Sequence, residues 1–405
     1  MIQFADINVG LVLLIGAATT MAMALKAVLE PVGIPPLVGY VLLGFGLRAV
    51  DAKGLWITPP VSQTFDTLAS LGLVALLFRV GVGSHPKRLL RKLPGASLAW
   101  IGNVALSGAL GYLVARFALQ LALIPSLIVG TALTATSIGV TVPVWEQAGA
   151  LDTDDGATTV DLAELDDVSG ILAMALLFSV LPVLRWGNGD FWGALSGAAG
   201  ILAVKLVLFT GFCFVFAHFL VPALSRTLTR LERPPARMLS VAGLGMMIAA
   251  MAGWLGFSLA IGALFAGLIF SRNPGTIWSD RSYQILYDFL TPFFFIGIGV
   301  KLDPAAMTPA LGMGAALLVA AVIGKVVGTT LPALLTTTAT GAAIIGVSMV
   351  PRAEIAMVIM DQAHTLGTWA VDDTIYGAMT VVSLVTCTLT PPILARLLRR
   401  YPPLR

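Results

Sequence analysis

Two adjacent carboxylates, Asp166 and Asp167, stand inside a stretch of the chain that is otherwise strongly apolar. Residues 161–167 hold four acids, and an apolar segment follows them as far as Pro182. Neighbouring carboxylates in such surroundings are costly, because each loses its water and each repels the other. The pair is therefore more typical of a site that binds a cation or protons than of a purely structural element.

Helical geometry separates the two aspartates onto different faces. At about 100° per residue, Asp166 is turned about 100° away from Asp167. Glu164 and Asp161 lie about 60° and 120° from Asp167 on its other side, so the three form a slanted acidic stripe about 9 Å long. We expect Asp167 to face a water-filled cytoplasmic funnel lined by Glu164 and Asp161. The alternative for these two acids is simple solvation at a helix N-terminus, which the helix dipole favours.

Lys325 and Arg352 are basic residues deep inside apolar segments. Lys325 lies four residues past the midpoint of segment 307–335, and Arg352 lies at the centre of segment 339–364. A charge at that depth is costly unless it is paired or hydrated. The helical phase makes Asp166 the better partner for Lys325. Arg352 and Glu354 are two residues apart and face different ways, so we expect them to support a helix break by contacting other elements.

These groups together can exchange a hard cation for protons. Burial favours the uncharged form of an ionisable group, so protons and a cation can compete for one site. Asp167 supplies a carboxylate, and the hydroxyls and freed carbonyls around Thr136 and Ser137 would complete the shell of a monovalent cation such as Na+. Arrival of the cation would favour rupture of the ion pair between Asp166 and Lys325. Neither an enzyme nor a cofactor is predicted.

The composition indicates a chain that lies largely within a lipid bilayer. Of 405 residues, 58% are hydrophobic and only 11% are charged, whereas a soluble protein carries about a quarter charged residues. The net charge of +3 comes from short basic clusters and not from long basic tracts, which argues against a nucleic-acid partner.

The apolar stretches predict an all-α polytopic membrane protein with thirteen transmembrane helices, each near the length of about 20 residues that a bilayer needs. They lie at 7–28, 34–50, 62–83, 95–120, 121–149, 158–185, 191–222, 236–252, 255–271, 284–300, 307–335, 339–364 and 373–395. A division into a first repeat at about 7–185, a linker helix at about 191–222 and a second repeat at about 236–400 makes two inverted six-helix repeats. We expect residues 1–405 to form a single transmembrane domain without a soluble regulatory domain.

The inverted repeats make helix five the counterpart of helix twelve. Both have polar, helix-disfavouring centres, within 134–143 and 348–354. Inverted repeats are characteristic of secondary transporters, whose paired broken helices meet near the midplane. We therefore expect two broken, crossing helices at the ion site. The alternative is that Pro and Gly merely kink these helices.

The distribution of Lys and Arg predicts the orientation. Connections after odd-numbered helices and the C-terminal tail hold 14 basic residues, against 4 in connections after even-numbered helices. The positive-inside rule then places the N-terminus outside and the C-terminus in the cytoplasm. We expect a multi-pass protein of the bacterial inner membrane.

Eight short motifs occur in order along nearly the whole chain. They are IPPLVGY at 34–40, LGLVALLF at 71–78, TATS at 134–137, DD at 166–167, AIGALFAG at 260–267, PFFF at 292–295, GK at 324–325 and PRAE at 351–354. In these motifs the chain resembles the monovalent cation:proton antiporter superfamily, and within it the bacterial Na+/H+ exchanger and Kef-like transmembrane branch.

The resemblance implies a homodimer in which a six-helix core domain of each protomer moves the ion site past a dimerisation domain like an elevator. It matches Asp167 to the ion-binding aspartate, Asp166 to the acid before it and Lys325 to the partner of that acid. Paired aspartates are similar to those of electrogenic members. The resemblance leaves open Na+ against K+ or Li+, and a symporter or a K+ efflux protein on the same fold. A remote alternative is an intramembrane aspartyl protease, suggested by Asp288.

Overall fold

The computed structural model describes residues 7–51, 58–83, 86–186, 191–220, 236–255, 257–271 and 281–401. Across these residues the chain is all-α, and no strand is found in them. The α-helices are α1 Ile7–Leu29, α2 Pro36–Val50, α3 Pro59–Gly83, α4 Pro86–Leu113, α5 Leu123–Ala132, α6 Ile138–Gln147, α7 Asp154–Trp186, α8 Phe191–Val215, α9 Ala236–Trp254, α10 Leu259–Phe270, α11 Arg281–Val300, α12 Met307–Ala333, α13 Ala339–Ser348, α14 Glu354–Thr365 and α15 Asp373–Arg400.

The predicted apolar segments coincide with these helices, and several boundaries move. Helix α4 begins at Pro86 instead of residue 95, and α7 begins at Asp154 instead of residue 158. Helix α8, for which the sequence predicts a linker role, continues through a π-helical turn at Phe216–Leu220. The last residues predicted for it, 221–222, lie outside the described residues. So do segments 221–235 and 272–280, which hold several of the basic residues used to predict the orientation.

The described helices include six that are long and apolar enough to cross a membrane. They cover Val9–Val32, Val61–Val82, Ser97–Ala118, Asp154–Trp186, Pro304–Ala333 and Asp373–Arg400. Shorter apolar helices, among them α5 and α13, accompany them. Many large apolar side chains are exposed on α1 and α8. Exposed apolar residues in this number are expected where lipid, and not water, surrounds a helix.

The chain divides into two compact units. The first comprises Met1–Ala24, Tyr40–Pro86 and Phe178–Val300. In it, α3 packs closely against α10 and α11. A Cβ atom at Gly81 or Gly267 would collide with the backbone of the opposite helix, and one at Gly72 would collide with the backbone at Leu290. Small residues therefore bring these helices into backbone contact, as is usual inside membranes.

The second unit comprises Leu25–Gly39, Lys87–Leu177 and Lys301–Arg405. Here α12 packs against α15, and it also approaches α4 closely. A Cβ atom added at Gly328 would stand 3.2 Å from the Cα of Asn103. A Cβ atom added at Gly324 would stand 2.8 Å from the Cα of Ser107. These two glycines let α12 come near enough to α4 for the neighbouring Lys325 to reach the polar residues of α4 and α7.

Two segments of the second unit are broken and not merely kinked. Helix α5 ends at Ala132 and α6 begins at Ile138, whereas α13 ends at Ser348 and α14 begins at Glu354. The two non-helical stretches, 133–137 and 349–353, contact each other. The Ser137 amide donates to the Pro351 carbonyl at 2.9 Å, and the Thr136 hydroxyl donates to the Met349 carbonyl at 3.2 Å.

A buried aromatic contact secures the half-helices beside the breaks. Trp145 of α6 is 0% exposed, and its Nε1 atom donates to Ser348 Oγ, the last residue of α13, at 3.0 Å. Val144 and Ile344 join it in an apolar cluster with Leu394 of α15. Helices α6 and α13 are thus held together by this contact. The two breaks, 133–137 and 349–353, together form what is called the crossing below, and they contact each other through polar groups.

Candidate ion-binding site

Asp166 lies at the centre of a fully buried group of polar side chains. It is 0% exposed. Its Oδ2 atom accepts three hydrogen bonds, from Asn103 Nδ2 at 2.6 Å, Thr136 Oγ1 at 2.7 Å and Lys325 Nζ at 2.6 Å. Its Oδ1 atom is buried and has no hydrogen-bond partner among the described residues. The carboxylate is therefore neutralised and oriented through one oxygen, while the other is left unused.

Lys325 is the positive partner of Asp166. The two side chains form a salt bridge of 2.6 Å, and both are 0% exposed. Lys325 Nζ also donates to the Thr134 carbonyl at 2.5 Å, a group that the α5 break frees from helical hydrogen bonding. A buried ion pair needs such additional hydrogen bonds to offset the loss of water. This pairing is the one that the helical phase of residues 166 and 167 predicts.

Asp167 is buried as well, but its surroundings differ. It is 5% exposed, and within the described part of the chain its carboxylate takes part in neither a hydrogen bond nor an ion pair. It is close enough to Glu354, Asp166 and Glu164 to be repelled by all three, and Lys325 offers partial compensation. A buried carboxylate without a donor is unstable unless a proton or a cation joins it.

The two acids of the expected funnel are not equivalent. Asp161 is 4% exposed, whereas Glu164 has intermediate exposure. Because α7 begins at Asp154, both lie inside the helix and not at its first turn. The alternative in which they are carboxylates at a helix N-terminus is therefore wrong, since the dipole effect is confined to that turn. Their assignment to a funnel stays a prediction.

Arg352 holds the crossing together. It lies in the α13–α14 break and is 0% exposed. Its guanidinium donates to the Ala135 carbonyl in the other break, to Ser107 Oγ of α4 at 2.9 Å and to the Ala321 carbonyl at 3.4 Å. Carbonyls at the C-terminal end of a half-helix carry partial negative charge, which a guanidinium offsets.

Glu354 contacts the other break and not Arg352. Its Oε2 atom accepts a hydrogen bond from Ser137 Oγ at 2.5 Å. Glu354 opens α14 and Ser137 directly precedes α6, so two half-helix N-termini meet at this bond. The sequence predicts that Arg352 and Glu354 contact other elements of the crossing, and the structure has that arrangement.

The hydroxyls expected to face the cation are engaged elsewhere. Thr136 donates to Asp166 and to the Met349 carbonyl, and Ser137 donates to Glu354. The structure thus brings Thr136, Ser137, Asp166 and Lys325 into one polar crossing, but neither hydroxyl bonds to Asp167. Both would have to reorient to coordinate an ion there.

Sequence reasoning missed two residues of α4. Asn103 binds Asp166, and Ser107 joins Arg352 to the Leu133 carbonyl through a hydrogen bond of 2.6 Å. Both are 0% exposed. They are four residues apart and therefore share one face of an apolar helix, and this spacing was the available signal. Polar residues inside membrane helices usually face the bundle interior.

The sequence matches a family model described as the transmembrane sodium/hydrogen exchanger over residues 16–400. The chain belongs to this family. The family consists of transporters and not enzymes, and membership makes the chain an integral, multi-pass membrane protein. It therefore also belongs to the wider monovalent cation:proton antiporter group that its motifs resemble.

Curated relatives and solved structures agree with this membership. The chain is 27% identical over 391 residues to the high-affinity Na(+)/H(+) antiporter NhaS3 of Synechocystis, covering 94% of this chain and 82% of that protein. It is 23% identical to a Na(+)/H(+) antiporter of Enterococcus hirae, over 95% of this chain and 97% of the other. The sodium proton antiporter MjNhaP1 of Methanocaldococcus jannaschii has the same fold, with a TM-score of 0.65, 14% identity and 96% coverage of both chains.

Proposed function

We propose that this membrane protein exchanges Na+ for protons by secondary active, electrogenic antiport. The observation that carries the proposal is the contrast between the two aspartates. Asp166 is neutralised by Lys325, whereas Asp167, one residue away, is buried without a donor among the described residues. Two relatives bear names that specify Na+/H+ antiport, which supports Na+ ahead of K+ or Li+.

The proposed cycle uses the two aspartates differently. Without a cation, a proton occupies Asp167 and Lys325 stays protonated in its ion pair. When Na+ arrives, Asp167 releases its proton and becomes the principal ligand, while Thr136, Ser137 and the freed carbonyls turn toward the ion. The positive charge of Na+ then competes with the Lys325 ammonium for Asp166, whose Oδ1 atom is unused. Loss of the lysine proton gives a second proton for one cation, and the exchange moves net charge.

The architecture of the proposal follows the sequence. It comprises thirteen transmembrane helices in two inverted repeats, at about 7–185 and 236–400, joined by a linker helix at about 191–222. The protein would work as a homodimer in the bacterial inner membrane, with its N-terminus outside. Glu164 and Asp161 would line the cytoplasmic approach to Asp167. A core carrying both breaks would move past a fixed domain in an elevator-type cycle, with Arg352 and Glu354 keeping the breaks joined.

The proposal is tested in proteoliposomes that contain the purified protein, an internal pH-sensitive dye and an imposed pH gradient. We expect added Na+ to dissipate the gradient, and we expect the rate to respond to an imposed membrane potential. Li+ and K+ in parallel rank the cations. Protein-free liposomes are the control. Unchanged dye fluorescence with all three cations, or protons moving in the same direction as the cation, would contradict antiport.

The elevator part of the proposal gives a separate expectation for a cysteine at position 137. Ser137 is 1% exposed, so a bulky reagent cannot reach it in the state described here. We expect Ser137→Cys to react with a membrane-impermeant maleimide from each side of the membrane, with the preferred side changing with the Na+ gradient. The chain's own Cys213 and Cys387 are buried and are replaced by Ala for this purpose. Labelling from one side alone under every gradient would rule out the elevator.

A further inference from the structure

The charges at the crossing are unevenly distributed. Lys325 is committed to Asp166 through the buried salt bridge, and the guanidinium of Arg352 is directed at Ala135, Ser107 and Ala321. Both basic groups therefore direct their hydrogen bonds to Asp166, to α4 and to backbone carbonyls, on one side of the crossing. In the described residues, neither Asp167 nor Glu354 forms a salt bridge. Within the described part of the chain, the two carboxylates on the other side thus form no ion pair.

The fold brings these two carboxylates toward one another. A Cβ at Gly170, one turn after Asp167 in α7, would lie 3.4 Å from the side chain of Ile355, the residue that follows Glu354. Glu354 is also close enough to Asp167 to repel it electrostatically. Helices α7 and α14 therefore face each other at the level of the two acids.

The hydroxyl of Ser137 lies at the edge of the space that these acids share. It reaches Glu354 Oε2 at 2.5 Å, and Glu354 Oε1 stands 3.2 Å from where a Cβ of Gly139 would lie. A larger residue at 139 would therefore press on this carboxylate. The glycine leaves it room beside the α6 N-terminus, where the helix dipole favours negative charge.

We propose that Glu354 is a second carboxylate ligand of the transported cation, on the opposite side of the ion from Asp167, with Ser137 Oγ as a neutral ligand beside it. This inference rests on the proposed function and deepens it. The independent observation that points to a ligand is Asp167 itself, an unpartnered carboxylate that is 5% exposed. When the ion enters, the Ser137 hydroxyl exchanges its hydrogen bond with Glu354 for an oxygen–cation contact.

Two anionic ligands would also set the selectivity of the site. Small cations such as Na+ and Li+ lose more hydration free energy than K+ when they enter a site. Two anionic ligands offset this loss better than one does, so they favour binding of Na+ and Li+ over K+. Glu354→Gln keeps the side-chain size and can still bond to Ser137, but it removes one of the charges. Its effect should therefore fall on affinity and on cation ranking. A purely structural role of Glu354, which the retained bond to Ser137 would preserve, predicts instead that Kd and ranking stay unchanged.

The experiment is equilibrium binding of 22Na+ to the purified full chain by scintillation proximity at alkaline pH, with K+ and Li+ as competitors. We expect Glu354→Gln to raise the Kd for Na+ about tenfold, as loss of one charged ligand predicts, and to narrow the preference for Na+ over K+. Glu146→Gln is the matched control, because Glu146 of α6 is exposed, and it should bind like the wild type.

The binding data distinguish a ligand role of Glu354 from a structural one. A Kd and a cation ranking within twofold of the wild type would overturn the role of Glu354 and leave antiport by Asp167 untouched. If Glu354→Gln does not elute as a folded species, Glu354→Asp replaces it. That variant keeps the charge but retracts the carboxylate, and a Kd raised at least threefold supports the inference whereas an unchanged Kd overturns it. If the wild-type protein bound Na+ but did not exchange it for protons in proteoliposomes, antiport would be wrong, and Glu354 would remain a ligand of the bound cation.

Discussion

Replacing Asp167 with Asn is expected to lower Na+-dependent proton movement at least about 100-fold, because the principal charged ligand is lost. The same change should make the protein more stable. Among the described residues Asp167 has no hydrogen bond, so on folding it must either keep a charge that three neighbouring acids repel or take up a proton that the unfolded carboxylate lacks at neutral pH. An uncharged amide avoids both costs. We expect the free energy of unfolding to rise by about 1–3 kcal/mol. The measurements are gradient dissipation in proteoliposomes and thermal unfolding in detergent.

Asp361→Asn is the matched control for this prediction. Asp361 pairs with Lys301 at 2.7 Å, and these side chains are 23% and 24% exposed. This ion pair is partly exposed and not fully buried, so its loss should cost less than the loss of a fully buried pair, and the variant should exchange at the wild-type rate with stability slightly reduced. Exchange by Asp167→Asn at the wild-type rate would show that the ion binds elsewhere. Reduced stability of that variant would show that Asp167 has a structural partner.

The divergence of Asp166 and Asp167 could be predicted because it depends on local geometry alone. Adjacent residues of a helix point about 100° apart, so one of them had to face protein if the other faced an aqueous route. The pairing with Lys325 followed because a lysine that deep requires an acid. Helix breaks could be predicted for the same kind of reason, since polar and helix-disfavouring residues cluster at 134–143 and 348–354.

The remaining features depend on tertiary contacts that no local pattern encodes. Asn103 and Ser107 became part of the site because two glycines of α12 bring that helix against α4. The start of α7 at Asp154 places Asp161 and Glu164 farther from the helix N-terminus than the predicted start at residue 158 does, a change that apolar periodicity does not predict in an acidic stretch. The orientation of Thr136 and Ser137 depends on which acceptor is nearest across the crossing, and this too is a property of the assembled fold.

Lys325→Ala is expected to destabilise the protein and to remove the voltage dependence of exchange. The change leaves the Asp166 carboxylate buried with two neutral donors, Asn103 and Thr136. Removing one partner of a buried ion pair typically costs about 3–5 kcal/mol, because the remaining charge is uncompensated. Lys301→Ala is the matched control, since the ion pair of Lys301 with Asp361 is partly exposed and not fully buried, and it should cost less than Lys325→Ala.

A double variant separates the two roles of Lys325. In Asp166→Asn with Lys325→Ala, neither charge remains, so most of the lost stability should return even though the lysine proton is still absent. If Lys325 supplies the second proton, this variant retains Na+ binding at Asp167 and exchanges one proton for one cation, so that valinomycin-imposed potentials no longer change its rate. Voltage-dependent exchange in the stable double variant would mean that the second proton comes from another group. A single Lys325→Ala variant as stable as the wild type would mean that Asp166 is not charged in the folded protein.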